Sequence, residues 1–289
     1  MGPQGGPRRE DLEIKVNDKE KEIAAKAAQM RALALKAISS AGSGHPGGSL
    51  SLADLMASLY FGGWLNVDPK DPHKHDRDRV VLSKGHACPI LYAALTLKGF
   101  MSKEDLMSLR KSGSFLQGHP DMKHTPGIDM STGSLGQGIS AACGIALGLK
   151  RQGIGAHVWA FLGDGELDEG EVWEALTFAS AYRLDNLTVI LDWNGLQIDG
   201  SNAQVMNISN PRARFEACGL ECVEINGHDL GAIAAAYDKA LSCHTAPFGI
   251  IARTVKGKGV SFMENQVGWH GKAPDAECLE KALSELGGR

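Results

Sequence analysis

The segment Phe161-Leu162-Gly163-Asp164-Gly165 is followed by a helical pattern over 169–182. The apolar run Leu187-Thr188-Val189-Ile190-Leu191-Asp192-Trp193-Asn194-Gly195 comes next. No other feature constrains the chain as strongly. Two apolar runs joined by a crossover of helical length read as a β-α-β unit, whose right-handed connection lays the strands side by side and parallel. Asp164 then stands just past the first strand and Asn194 just past the second. Ligands of open parallel sheets bind at those carboxyl ends, so a carboxylate and an amide oxygen far apart in the chain can converge on one hard cation. Sparse, oxygen-only ligation suits Mg²⁺, with Ca²⁺ as a substitute, and leaves room for phosphate oxygens and water. Gly163 and Gly165 would let the backbone approach a diphosphate. Taken singly, each turn is an ordinary Asp-Gly or Asn-Gly turn. Their joint placement on one crossover unit is what points to a ligand.

The rest of the chain extends this pattern. Further strands are expected at 79–82, 220–225 and 248–254, with the first strand of the central unit at 157–162. Helices are expected at 19–38, 86–97, 229–243 and 275–286. Ser51-Leu52-Ala53-Asp54 has the spacing of a capping box opening a helix to about Tyr60, and Ser102 with Asp105 caps another. The stretch 114–132 shows no periodicity, which in a compact domain marks a functional loop. Strands alternating with helices predict an α/β fold, a mostly parallel sheet with helices on both faces. Residues 1–9 read as a loose tail without the apolar core of a signal peptide, and residues 10–289 as one domain.

Composition narrows the classes. Of 289 residues, 43% are hydrophobic and 22% charged, which excludes a disordered chain. The net charge of −4 gives no basic excess for nucleic acid, and no apolar run is long enough for a membrane span. The six scattered cysteines, with Cys218 and Cys222 the one close pair, read as reduced thiols of a cytoplasmic protein. Gly42, Gly44 and Gly47 match a dinucleotide-binding string but follow a helix rather than a strand, so that context fails. Lys256-Gly257-Lys258-Gly259 reads as a mobile surface loop, with a phosphate contact as the alternative.

A Gly-Asp-Gly strand end, a helix and an Asn after the next strand resemble the thiamine diphosphate fingerprint. Ser43-Gly44-His45-Pro46-Gly47, Ser83-Lys84-Gly85-His86, Gly118-His119-Pro120, Thr132-Gly133-Ser134-Leu135-Gly136-Gln137-Gly138 and His270-Gly271-Lys272-Ala273-Pro274 follow the order seen in transketolases. The resemblance implies the diphosphate-binding (PP-domain) fold. It implies that Asp164 and Asn194 bind Mg²⁺ by side chain and Leu196 by its carbonyl. Gly163 and Gly165 would approach the diphosphate, and Gly133 and Leu135 the aminopyrimidine. His86 and His270 would face the diphosphate, with His45 and His119 toward the sugar hydroxyls. Glu169 and Glu174 resemble an acidic pair linking two active sites across a dimer; on spacing alone they are a solvated first turn favoured by the helix dipole. Histidine, with an ordinary pKa of about 6.5, suits the proton movements of ketol transfer. His73, His75 and His124 read as solvated.

The implied activity is transfer of a two-carbon ketol unit between sugar phosphates, as in pentose phosphate metabolism. In that family a pyrimidine-binding domain supplies a glutamate, an aromatic pocket and arginines for the sugar phosphate. None of these is matched here. The expectation is therefore an N-terminal subunit completed in trans by a C-terminal transketolase subunit, with two copies of each chain in an α2β2 assembly. Two positions depart from the family pattern: Ser134 replaces a usual Pro, and Lys84 replaces a common Asn. The alternatives are the diphosphate-binding subunit of a 2-oxo acid dehydrogenase, a deoxyxylulose phosphate synthase type, or a non-catalytic regulatory half.

Overall fold

In the computed structural model, residues 9–287 are described, with side chains from residue 18 onward. The expected tail lies outside the described residues except for Arg9, which opens α1. The helices are α1 (Arg9–Ala41), α2 (Pro46–Ser51), α3 (Ala53–Gly62), α4 (Cys88–Lys98), α5 (Lys103–Leu106), α6 (Gln137–Arg151), α7 (Gly170–Ala181), α8 (Asn202–Val205), α9 (Pro211–Ala217), α10 (Leu230–Ser242) and α11 (Ala276–Gly287). The strands are β1 (Arg79–Leu82), β2 (Val158–Gly163), β3 (Leu187–Trp193), β4 (Glu221–Asn226) and β5 (Phe248–Arg253). They form one sheet in the order β1-β2-β3-β5-β4, and every pairing is parallel.

Alternation along the strands divides their side chains between two cores, and a third, smaller cluster joins Leu35 and Leu50 to Val260, Met263, Ala282 and Leu286. Trp159 and Phe161 of β2, Ile190 of β3 and Ile250 of β5 join one core with α1, α3, α4 and α10. Val158, Ala160 and Leu162, with Val189, Leu191 and Ile251, join the other with α6 and α7. Because both faces are covered, β2 is buried throughout and reads as a continuous apolar run. Helix α1 offers Ile23, Ala27, Met30, Ala34 and Ile38 to the first core, the three-and-four spacing of one helix face. Among the described residues no helix is long and apolar enough to cross a membrane.

The expected elements are present, most to within a few residues, but α1 begins at Arg9, well before the expected start at Lys19; 114–132 contains neither helix nor strand. Two expectations need correction. Ser51 does not cap α3: its hydroxyl donates to Asp192 at 2.6 Å, and the Asp54 carboxylate is taken by Arg31 and His228. Pro46–Ser51, where no helix is expected before Ser51, is a short helix buried on all sides, so tertiary packing overrides the poor helix propensity of its proline and glycines. Helix α6 had no counterpart among the expected elements. The Ser102/Asp105 capping box is present, but the helix it opens is a single turn. All six cysteines are free thiols.

Candidate functional site

A cavity of about 280 Å³ opens at the carboxyl ends of the strands. Its walls come from Lys84 after β1, Gly163, Asp164 and Gly165 after β2, Asn194 and Leu196 after β3, and Lys256 after β5. His45, which precedes α2, and Gly133 and Leu135, which precede α6, complete it with His86 and His270. The topology thus brings together all three expected metal ligands and every expected cofactor contact.

Asp164 is 5% exposed. It accepts from the Gly165 and Gly195 N–H groups at 3.2 and 2.7 Å and from the Asn202 amide at 3.2 Å. Burial, with Asp192 nearby, pushes its pKa up to about 6. Asn194 accepts from the Leu196 N–H at 3.2 Å, and the Leu196 carbonyl accepts from the Lys256 ammonium at 3.0 Å. That carbonyl therefore already faces the cavity and takes a positive charge. The buried amide oxygen of Asn202 has no hydrogen-bond partner. One carboxylate, one amide oxygen and one carbonyl form a hard oxygen donor set of the kind Mg²⁺ prefers. With the Lys256 ammonium beside the Leu196 carbonyl and Lys84 in the cavity wall, the residues fit a magnesium-bound diphosphate.

Four histidines meet at one edge. Ring centroids lie 5.2 Å apart for His45 and His86, 5.4 Å for His45 and His270, and 5.2 Å for His86 and His270. His119 stands outside this triangle, 6.3 Å from His45. Burial and neighbouring cations hold all four neutral: His45 falls to about 4, His270 to about 3, and His86 and His119 also fall. A neutral imidazole both donates and accepts, so each ring can orient a hydroxyl or pass its proton. His45 Nδ1 is buried without a partner.

Beneath the cavity, Lys84 is fully buried and paired with Asp192, and donates to the Gly48 carbonyl at 3.0 Å. Asp192 also accepts from Ser51 and Thr254. Burial alone would raise its pKa, but Lys84 and these donors hold it low. Glu166 forms a second hub. Its carboxylate accepts from the Gly136 and Gly163 N–H groups at 3.0 and 3.1 Å and from the Ser83 hydroxyl. It clamps the loop before α6 to the Gly-Asp-Gly turn. At Gly85 a Cβ would meet the Gly133 nitrogen at 2.9 Å, so only glycine lets these loops close together.

The expected surface loop at Lys256 is corrected. The side chain is 2% exposed, reaches His270 Nδ1 at 2.9 Å, and has its pKa lowered by burial to about 8. Its position directly after the apolar strand β5 was the signal available in the sequence. Glu166 carried no such signal. Glu169 and Glu174 do not reach the cavity: both are exposed at α7, and Glu174 lines a separate groove with Cys143 and Phe178. His124 pairs with Asp121 at the surface.

Residues 22–288 match the family described as transketolase, thiamine diphosphate binding domain. The 6-deoxy-6-sulfo-D-fructose transketolase subunit SqwG of a Clostridium species is 42% identical over 257 residues, covering 89% of this chain and 93% of that protein. An apulose-4-phosphate transketolase subunit of Phocaeicola vulgatus is 39% identical over 246 residues, covering 85% of this chain and 87% of that one. Human transketolase is 43% identical over 263 residues, but the chain spans 41% of its length. The crystal structure of Campylobacter jejuni transketolase superposes with a TM-score of 0.87 at 37% identity, covering 92% of this chain and 43% of that one.

Proposed function

Because the chain belongs to the transketolase family and carries its thiamine diphosphate-binding fold, we propose that it is the diphosphate-binding subunit of a two-chain transketolase. Residues 10–289 would form one domain of this type, in a cytoplasmic enzyme. The observation that carries the reading is the convergence of Asp164, Asn194 and the Leu196 carbonyl on a cavity edged by four neutral histidines. Two relatives named as subunits match this chain over most of their length, which supports a separate C-terminal partner and an α2β2 assembly.

Bound thiamine diphosphate supplies a stabilised carbanion at its thiazolium carbon. The chain's own residues bind and orient. Asp164, Asn194 and Leu196 would hold Mg²⁺, while Lys256 and the glycines at 163 and 165 would receive the diphosphate. Gly133 and Leu135 would border the aminopyrimidine, and His86 and His270 would exclude water beside the phosphates. His45 and His119 would hold the sugar hydroxyls and pass protons at their oxygens. Glu169 and Glu174, exposed at α7, would serve a contact between protomers. The relatives are named for sulfonated and phosphorylated sugars, so the substrates of choice are a ketose and an aldose with an anionic tail.

The test is co-purification with the partner chain, followed by an assay of glycolaldehyde transfer from a ketose phosphate to an aldose phosphate. Transfer that requires the partner, Mg²⁺ and thiamine diphosphate is expected. Pyruvate-dependent CO₂ release would replace this reading with a 2-oxo acid dehydrogenase or synthase. Absence of cofactor binding by the complex would leave a non-catalytic half.

A further inference from the structure

Behind the wall that carries Lys256 lies a buried polar chain that the proposed chemistry does not use. Arg31 of α1 grips Asp54 of α3 with both terminal nitrogens, at 3.0 and 2.6 Å, and its Nε donates to the Leu50 carbonyl at 3.2 Å. His228, in the turn after β4, meets the same carboxylate through Nδ1 at 2.7 Å. Its other nitrogen, Nε2, accepts the Val255 N–H at 2.9 Å. Side chains of Arg31, Asp54 and His228 are 8%, 13% and 13% exposed.

The geometry settles the tautomer. A backbone N–H donates into Nε2, so that nitrogen carries its lone pair and the ring proton sits on Nδ1. The Nδ1 proton faces Asp54. Burial alone would raise the pKa of Asp54, yet the Arg31 guanidinium and the His228 contact hold it down to about 2. The carboxylate is therefore ionised and orients the ring. The next residue after Val255 is Lys256, whose ammonium touches the Leu196 carbonyl and His270. On its far side the loop is pinned by the Gly257 N–H donating to the Gly47 carbonyl at 3.0 Å.

We propose that His228 is a positioning residue for the cavity: by accepting the Val255 N–H it anchors the loop that delivers Lys256 to the Leu196 and His270 corner. Arg31 and Asp54 fix the ring, and through Leu50 the same chain is tied to α2, which follows His45. The consequence for cofactor binding rests on the function proposed above; the anchoring of Val255 does not.

The test uses three variants of the full chain. In His228→Gln the side-chain oxygen can reach the position of Nε2 and accept from Val255. In His228→Asn the amide can reach only the position of Nδ1, and His228→Leu makes neither bond. Amide exchange at Val255, read by NMR on the chain alone, is expected to quicken on the order of 10-fold in the Asn and Leu variants, the size of one lost hydrogen bond. The Gln variant should stay within about 3-fold of the parent by the same measure. In complex with the partner, thiamine diphosphate affinity should fall by a similar ~10-fold in the Asn and Leu variants. Turnover at saturating cofactor should change less than about 2-fold, because no reacting group is removed. Equal exchange at Val255 in all four proteins would overturn the proposal. So would equal losses in the Gln and Asn variants, which would make His228 a packing residue only. If the unaltered complex binds no cofactor, the functional reading fails, and the exchange at Val255 alone decides whether His228 anchors the loop.

Discussion

Asp164 is a carboxylate 5% exposed with a second carboxylate, Asp192, close by. Replacing it by Asn keeps its volume and an oxygen acceptor but removes the charge that a divalent cation needs. Asp164→Asn in the assembled complex should weaken Mg²⁺-dependent thiamine diphosphate binding ~100-fold or more, beyond the 10–100-fold of outer-shell changes; equilibrium dialysis with and without EDTA measures it. His119 lies farther out, so His119→Ala should leave cofactor affinity unchanged while turnover falls ~10²–10⁴-fold, the share of one general acid–base group. Stopped-flow turnover beside cofactor titration separates the two. His157, far from the cavity, makes a pH prediction. Buried against Thr188, it has its pKa lowered from 6.5 to about 4 by burial. The unfolded chain therefore binds the extra proton between those values. The stability of the neutral folded form is complete above 6.5 and is lost as pH falls toward 4. Urea unfolding of His157→Gln against the parent should show the variant losing roughly 2 kcal/mol less between pH 7.5 and 5. At this scale Asp164 and Asn194 were legible because strand ends can be counted along the chain. Lys256 was masked by its glycines, and Glu166 was hidden because its partners, Ser83, Gly136 and Gly163, come together only through the fold.

Helix α6 went unread although Ile139, Ala142, Cys143, Ala146 and Leu149 recur at the three-and-four spacing of one buried face. Gly138, Gly144 and Gly148 are poor helix formers and hid the element. Gly138 answers to a long-range contact instead: the helix starts beside the end of β1, where a Cβ would lie 2.6 Å from Ser83 Cα. Gly138→Ala should cost about 1–3 kcal/mol by overpacking, read from urea unfolding midpoints. The Ser51 to Asp54 spacing misled for a related reason. Both side chains have the chemistry of a cap, but each is claimed by a buried charge from elsewhere in the fold, and such long-range partners outweigh a local cap worth about 1 kcal/mol. Strands β2, β3 and β5 were legible throughout, since burial on both faces writes itself as an unbroken apolar run.

For the whole molecule, the cavity is a half-open structure held by loops from four strands and the starts of two helices. The neutrality of its histidines follows from that depth and could not be read from residue identity. The order of strands likewise depends on which crossover passes over which face. The chain matches 93% of the length of one subunit relative and 41% of human transketolase; under the function proposed above, the completing half is a separate chain. If a partner closes the cavity over cofactor, the two together should stabilise the chain against heat. About 3 kcal/mol is expected at a hundredfold excess over Kd, with little from either alone. Differential scanning calorimetry with the partner, the cofactor and both would show it.

The division of the strands between two cores has a further consequence for how this chain can vary. Every side chain of β2 before its closing glycine is committed to one side by parity, Trp159 and Phe161 to one and Val158, Ala160 and Leu162 to the other. Inserting or deleting one residue within the strand would exchange the two sets and swing Asp164 to the opposite side of the sheet. Length changes in β2 are therefore intolerable in steps of one, and frame-preserving drift must be absorbed in surface turns at the opposite end of the sheet. The site and the fold share one register, and neither can slip without the other.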